Sequence, residues 1–212
     1  MTRRIDQRMS RWAILAFGIA LMIPAVVTPL RAGGSPEGET LAIGGAFGSS
    51  LIRRYLPGSR STILYPAIRQ SDGRISPAEP KSGLSSGTWD KILSSWREDA
   101  SLLLATLNPE MIRDGDGVIQ AAVLRSTDPL VSTCMLLPGF LDRFSAVFGP
   151  EILVAVPSET TLYIFPKLAN RISGFRERIV DEFLLSPRPV STEFFEISRK
   201  GLRGAGDFRP EE

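Results

Sequence analysis

Two short apolar runs that lie close together constrain the fold more than any other feature of this sequence. Ile152–Val156 and Thr161–Phe165 are rich in β-branched and aromatic residues, and the polar segment Pro157–Thr160 separates them. Runs of this length and spacing predict an antiparallel β-hairpin, because a short polar turn commonly joins neighbouring strands. Ile152–Val156 is apolar throughout, which predicts a strand covered on both faces. We therefore expect Glu151–Pro166 to lie at the centre of the folded domain.

Apolar residues recur at helical spacing on both sides of this hairpin. A period of three to four residues predicts helices at Leu41–Leu56, Trp89–Leu107, Pro138–Phe148 and Lys167–Leu185. β-rich runs predict further strands at Ser61–Ile68, Val118–Leu124 and Val190–Ile197, while Leu130–Leu137 fits either type. The mixture predicts an α+β domain over residues 41–197, with a mainly antiparallel sheet of about four or five strands and about three or four packed helices.

Capping residues, proline and local composition refine these elements. Thr88 is expected to cap the helix that begins at Trp89, because a threonine hydroxyl accepts a free backbone N–H there. Pro66 has no N–H group, so its strand is expected at a sheet edge or a bulge. Residues 71–88 are rich in Ser, Gly and Pro and are expected to form a mobile surface loop. Residues 198–212 are expected to form a polar tail.

The first 32 residues are expected to be a signal peptide or a membrane anchor. An uncharged run, Trp12–Leu30, follows four arginines, Arg3, Arg4, Arg8 and Arg11. About 20 apolar residues span a bilayer, and the arginines favour an N-terminus in the cytoplasm. The length of the run favours an uncleaved single-pass anchor, whereas Pro24 shortens its core and favours cleavage after Ala32. Residues 33–40 read as a linker, and the body is expected in the cell envelope, or secreted if the leader is cleaved.

Composition excludes several kinds of chemistry. The chain has 25 basic residues, 23 acidic residues, no histidine and one cysteine, Cys134. A histidine general base, a His/Cys zinc site and an internal disulfide are therefore excluded. Cys134 lies in an apolar run and is expected to be a buried, unreactive thiol. The excess of positive charge lies in the first eleven residues, so the body offers no basic groove for nucleic acid. No cofactor is expected.

The acidic segment Asp114–Gly117 is similar to the middle of a calcium-binding loop. A complete EF-hand loop also needs oxygen ligands at its first and twelfth positions. Those positions fall on Ile112 and Val123, whose side chains have no oxygen. Asp-Gly pairs favour tight turns, so the segment predicts a turn between strands. A weak cation-binding module at Asp114–Gly117, or one completed by a partner, is the alternative.

Several segments together resemble the C-terminal part of the YtpQ-like bacterial family of unknown function. They are Thr62–Ile68, Leu137–Leu141 with its Pro-Gly, Phe148-Gly149, and the strand Ile152–Ser158 that ends in Pro-Ser. The resemblance covers roughly residues 60–197 and implies an α+β fold with no known activity. Two departures stand out: this chain has a membrane leader, and it carries Glu159-Thr160 where some members have Arg-Asp.

The leader, the linker and the lack of a catalytic motif predict a non-catalytic binding or interaction module. Its partners would be the membrane, through the N-terminal helix, and a protein of the cell envelope. A hydrolase that uses loop carboxylates is the alternative, and it requires two loops to meet at one end of the sheet. The candidate binding residues in those loops are Asp114, Asp116, Ser158, Glu159 and Thr160.

Overall fold

The computed structural model of the protein describes residues 38–45, 53–78, 86–168 and 172–209. The chain divides into two compact units, Met1–Gly33 and Gly34–Glu212, and every described residue belongs to the second. The predicted leader at 1–32 and most of the predicted linker therefore lie outside the described residues. Within the described ranges no single helix combines the length and hydrophobicity of a membrane span. Two helices bent by 79°, Pro129–Leu136 and Phe140–Phe148, meet that criterion only when taken together.

Four antiparallel strands form the first sheet. Their bounds are β1 Gly38–Gly45, β2 Arg54–Tyr55, β3 Thr62–Arg69 and β4 Ile75–Pro77. β3 is central, because β1 pairs along one side of it while β2 and β4 pair with successive parts of the other side. The strand predicted at Ser61–Ile68 is confirmed. The helix predicted at Leu41–Leu56 is wrong at both ends, which belong to β1 and β2, and residues 46–52 lie outside the described ranges. Gly44 and Gly45 disfavour a helix, and β1 instead pairs with β3 along its whole length.

Pro66 lies in the central strand of this sheet, and the edge position predicted for it is wrong. Its carbonyl accepts the backbone N–H of Ala78 at 3.0 Å, one residue beyond the last β3–β4 pair, Ala67 with Pro77. The N–H and C=O of a strand residue point to the same side. A backbone N–H at residue 66 would therefore point to the end of the β3–β4 ladder. The lack of this donor in proline interrupts no strand pairing.

Six antiparallel strands form the second sheet, in the order β10-β9-β7-β8-β6-β5. Their bounds are β5 Glu110–Arg113, β6 Ile119–Arg125, β7 Ile152–Ser158, β8 Thr161–Pro166, β9 Glu193–Ser198 and β10 Gly201–Asp207. The helices of the described residues are α1 Ser86–Thr106, α2 Phe140–Phe148, α3 Arg176–Leu185 and two 3₁₀ helices, Pro129–Leu136 and Ile172–Phe175. The α+β class is confirmed, but two sheets replace the single sheet of four or five strands that was predicted.

The predicted hairpin is strands β7 and β8, and it lies at the centre of the six-stranded sheet. β7 pairs with β8 on one side and with β9 on the other, and all seven of its residues are buried. The connection is tighter than predicted, since Pro157 and Ser158 belong to β7 and only Glu159-Thr160 forms the turn. The register shifts between Ala155 and Ser158, so the strand reaches the turn through an irregularity in the ladder.

Apolar layers cover both faces of the six-stranded sheet. The larger layer joins alternate β7 residues, such as Val154, to α1, α2 and the first 3₁₀ helix, and the smaller joins Leu153 and Ala155 to α3. Cys134 lies in the larger layer, as predicted, and burial raises the pKa of its thiol to about 12. β7 is thus covered on both faces, as its unbroken apolar sequence predicts.

The long amphipathic helix α1 confirms the predicted apolar stripe. Its members Ile92, Trp96, Ala100 and Leu104 are buried. The indole Nε1–H of Trp96 donates to Thr133 Oγ1 at 2.8 Å, which gives this buried polar atom a partner. The helix begins at Ser86 rather than Trp89, so Thr88 lies inside its first turn and the prediction of an N-cap there is wrong.

Three predictions for the surface segments and the C-terminal part are wrong in part. The predicted loop at 71–88 contains β4 and the start of α1, and residues 79–85 lie outside the described ranges. Of the predicted helix Lys167–Leu185, residues 169–171 lie outside the described ranges, and α3 is the α-helical part of the rest. Leu168 and Leu184 on its predicted apolar stripe are exposed, and Gly174 lies before the start of α3. The predicted polar tail contains β10, whose glycines and arginine gave no strand signal.

Candidate functional site

The two loops that carry the predicted binding residues lie at opposite ends of the six-stranded sheet. Asp114–Gly117 precedes β6, whereas Ser126, just after β6, donates its N–H to Thr160 O at 3.1 Å. The strand between Val118 and Ser126 spans roughly 25 Å at about 3.3 Å per residue. Asp114 therefore does not meet Glu159, and the acid–base pair that a hydrolase of this kind would need is not formed.

The turn predicted at Asp114–Gly117 is confirmed, and both carboxylate oxygens of Asp114 accept hydrogen bonds in and beside it. Its Oδ1 accepts the N–H groups of Asp116 at 3.1 Å and Val118 at 2.9 Å. Its Oδ2 accepts Nε2–H of Gln120 at 2.8 Å, and Gly117 provides the positive φ of +81° that the turn requires. Nowhere in the described ranges do three or more His, Cys, Asp or Glu residues come together as a metal site.

The hairpin tip brings Ser158, Glu159 and Thr160 together with two residues from distant parts of the chain. Arg188 Nη1 donates to Glu159 Oε2 at 3.2 Å, and Ser158 Oγ lies 3.3 Å from Thr160 Oγ1. Burial raises the pKa of Glu159, although Arg188 opposes the shift. Burial and the nearby Glu159 raise the pKa of Tyr65, on β3, to about 12. No local pattern could have linked Tyr65 and Arg188 to this turn.

Glu193 on β9 is a buried carboxylate that joins the two sheets. Its Oε1 accepts the backbone N–H of Arg60 at 2.6 Å, and its Oε2 accepts Ser59 Oγ–H at 2.6 Å. The N–H of Thr62, at the start of β3, donates to Oε2 at 3.0 Å, and its hydroxyl also donates to Oε2. Burial alone would raise the pKa of Glu193, but the hydrogen bonds from Ser59, Thr62 and the backbone lower it below its ordinary value.

A cleft of about 300 Å³ opens beside Glu193, between the segment before β3 and the end of β10. The lining consists of Gly58, Arg60, Glu193, Arg209 and the segment from Gly204 to Asp207. We call it the Glu193 cleft. Gly204 N–H donates to Pro57 O at 2.7 Å, and a Cβ on Gly204 would lie 2.2 Å from Gly58 O. A Cβ on Gly206 would lie 2.4 Å from the Phe194 ring. Glycine is therefore required where β10 passes these neighbours.

The hydroxyl of Thr192 lies between the opposite charges of Asp207 and Arg209, two residues that line this cleft. Arg209 Nε–H donates to Thr192 Oγ1 at 2.9 Å, and the same hydroxyl donates to Asp207 Oδ1 at 2.6 Å. Asp207 Oδ1 also accepts the backbone N–H of Arg209 at 2.9 Å, and the guanidinium carbon of Arg209 lies 4.7 Å from the Phe183 ring centroid. In the described part of the chain, Asp207 and Arg209 form no ion pair with each other.

The sequence provides almost no signal for this cleft. Arg60 lies in a short polar segment before a predicted strand, and Asp207 and Arg209 lie in the predicted polar tail. Glu193 lies in a predicted strand, where a single carboxylate is usually taken to face water. Only the glycine spacing of Gly204 and Gly206 could have indicated a close backbone approach.

A second polar cluster joins α3 to the six-stranded sheet by hydrogen bonds. Tyr163 OH donates to Glu182 Oε2 at 2.6 Å, and both Nη groups of Arg125 donate to the same carboxylate, at 2.9 and 3.1 Å. Burial would raise the pKa of Glu182, but hydrogen bonds from Arg125, Thr161 and Tyr163 lower it. The three side chains satisfy one another between helix and sheet, so we assign this cluster a structural role.

Another cavity, of about 440 Å³, lies between the first 3₁₀ helix and the β9–β10 hairpin. Apolar side chains, including Leu137, Leu141, Ile197 and Leu202, form much of its wall. The polar side chains on its wall are Asp142, Ser198 and Arg199.

The chain matches no protein-family model, and neither the curated proteins nor the solved structures include a significant match to it. The resemblance to the YtpQ-like family therefore stays a prediction.

Proposed function

We propose that this protein is a non-catalytic binding module of the cell envelope and that its ligand site is the Glu193 cleft. The uncharged run Trp12–Leu30 behind four arginines supports a membrane location, with the N-terminus in the cytoplasm. The α+β domain then lies on the far side of the membrane, where the cleft is accessible to a small molecule or to a segment of an envelope protein. We propose no nucleic-acid partner, because the excess of positive charge is confined to the extreme N-terminus.

The charged groups around the cleft differ in how fully their hydrogen-bonding atoms are occupied within the fold, and this difference carries the proposal. Hydrogen bonds from the segment before β3 occupy both oxygens of Glu193, so this carboxylate holds the sheets together. Asp207 Oδ2 and the two Nη groups of Arg209 instead contact no other polar group in the described ranges. Small-ligand sites commonly combine a concave surface with a few such polar groups.

Binding at the cleft is tested by thermal unfolding of the full-length protein in detergent, with a broad panel of small polar metabolites. A ligand that binds only the folded state raises the unfolding midpoint. We expect at least one compound to raise the midpoint for the native protein but not for Arg209→Gln. Arg97→Gln, an exposed arginine on α1, is the matched control and should respond like the native protein. Equal responses in native protein and Arg209→Gln would contradict the proposal.

The envelope location is tested by the mass of the protein isolated from its own cells. A full-length chain in the membrane fraction would mean an uncleaved anchor, whereas a chain that begins near Gly33 outside the cytoplasm would mean a secreted protein. A full-length chain recovered wholly in the cytosolic fraction would contradict the proposed location.

A further inference from the structure

We infer that the Glu193 cleft binds a small zwitterion of the α-amino acid class, with the ligand carboxylate on Arg209 and the ligand ammonium group on Asp207. This inference rests on the proposed function and adds the chemical class of the ligand. It is based on Asp207 and Arg209, which line the cleft, and on their shared hydrogen-bond partner Thr192.

The fold separates two charges that could have paired. Asp207 and Arg209 are two residues apart at the end of β10, which is close enough for a direct ion pair. The hydroxyl of Thr192 lies between them instead, accepting from Arg209 Nε and donating to Asp207 Oδ1. A hydroxyl can do both at once, because it has one donor and two acceptor sites. Asp207 and Arg209 both line the cleft, and in the described part of the chain they form no ion pair with each other.

Arg209 and Asp207 keep hydrogen-bonding groups that the fold does not use. Thr192 and the Phe183 ring hold the guanidinium of Arg209 through its Nε edge and its face. Its terminal Nη groups are left in the fork geometry that matches a carboxylate. The carboxylate of Asp207 uses Oδ1 within the fold and leaves Oδ2 as an acceptor for an ammonium group.

The balance of charges around the cleft disfavours a simple ion of either sign. The cleft is lined by two arginines and two carboxylates, Arg60, Arg209, Glu193 and Asp207. An anion that contacted Arg209 would also lie near Asp207, and a cation at Asp207 would lie near Arg209. At separations of a few ångströms such repulsion offsets much of the attraction. A ligand that carries both charges gains both attractions.

The size and surface of the cleft also fit a small ligand. A volume of about 300 Å³ suits a single amino acid better than a large cofactor. Gly204, Ala205 and Gly206 line one side of the cleft, where the largest side chain is a methyl group. A small ligand main chain can therefore approach closely, with its side chain directed to the open mouth.

The experiment is isothermal titration of the full-length protein in detergent with matched probes. The probes are glycine, L-alanine and L-serine, with N-acetyl-L-alanine, L-alaninamide, acetate, phosphate and ethylamine as partial ligands. We expect at least one free amino acid to bind about tenfold more tightly than each partial ligand, because each of those lacks one charge-assisted contact. Asp207→Asn and Arg209→Gln should each weaken that binding about tenfold, while Arg97→Gln leaves it unchanged.

The results that would contradict the zwitterion inference differ from those that would contradict the proposed function. Binding of acetate, phosphate or N-acetyl-L-alanine as tightly as the free amino acid would overturn the zwitterion and leave the cleft as an anion site. No binding by any of the three amino acids would also overturn it, while a metabolite response lost in Arg209→Gln would keep the proposed function. Thermal unfolding of each variant without ligand shows whether a loss of binding reflects loss of the fold.

Discussion

A single buried carboxylate connects the two sheets, and its removal should cost much of the stability of the protein. Glu193→Ala would leave the N–H groups of Arg60 and Thr62 buried or half-buried without their acceptor. Leaving such donors unpaired costs about 1–3 kcal/mol each, so we expect a loss of about 3 kcal/mol in the free energy of unfolding. Urea unfolding of the full-length protein measures it. Glu98→Ala, an exposed carboxylate on α1, is the control, and a loss below about 1 kcal/mol for Glu193→Ala would contradict this role.

The lowered pKa of Glu193 predicts a specific acid sensitivity. Because the folded protein holds this carboxylate ionised, its contribution is fully present above the ordinary value of 4.5 and is lost as the pH falls through the lowered pKa of the folded state. We therefore expect the unfolding midpoint to fall steeply below about pH 4.5. Glu193→Gln, which starts from a lower midpoint at pH 7, should show a shallower fall. Parallel curves for the two proteins would refute the assignment.

The ionised carboxylate of Glu159 at the hairpin tip has the opposite effect on the stability of the fold. Burial raises its pKa, so its ionised form at neutral pH weakens the folded state relative to the unfolded chain. We expect Glu159→Gln to raise the unfolding midpoint at pH 7 and to have little effect at pH 4, where both states carry the proton. A lower midpoint at pH 7 would mean that the contact with Arg188 outweighs the cost of burial.

At the scale of the elements, β10 depends on glycine where it passes the turn before β3. Gly204→Ala would bring a Cβ to 2.2 Å from Gly58 O, and both backbones are held by the hydrogen bond from Gly204 N to Pro57 O. Overpacking of this kind typically costs about 1–3 kcal/mol, and we expect a loss of that size in urea unfolding. Gly115→Ala is the matched control, because nothing lies within 4 Å of a Cβ there. Equal effects of the two substitutions would show that the close approach is not required.

The same elements show how far local pattern predicts structure. Helix α1 and the β7–β8 hairpin follow from their sequences, because their apolar periods are long or uninterrupted and both lie against the core. β1 and β10 do not, because their glycines remove the side chains from which strand propensity is judged. Their pairing with β3 and β9 supplies the hydrogen bonds that determine their conformation.

At the scale of the whole molecule, the position at which the domain begins has a measurable consequence. β1 starts at Gly38, and its buried residues Leu41 and Ile43 belong to the larger apolar layer. A chain that starts at Gly34 should fold as a soluble unit. A chain that starts at Ala46 lacks β1 and should lose several kcal/mol, since burial of one leucine or isoleucine contributes about 1.5–3 kcal/mol. Circular dichroism with thermal unfolding compares the two, and similar midpoints would refute a structural need for β1.

The sequence by itself determined the fold class, the central hairpin, the buried stripe of α1 and the buried thiol of Cys134. These follow from local order, because a period of hydrophobicity or a proline is a property of neighbouring residues. The tertiary structure decided the rest. It separated Asp114 from Glu159 by the length of β6, and it gathered Arg60, Glu193, Asp207 and Arg209 around one cleft. Which polar groups meet depends on strand order and on the packing of the two sheets, and neither is written in any short stretch of the chain.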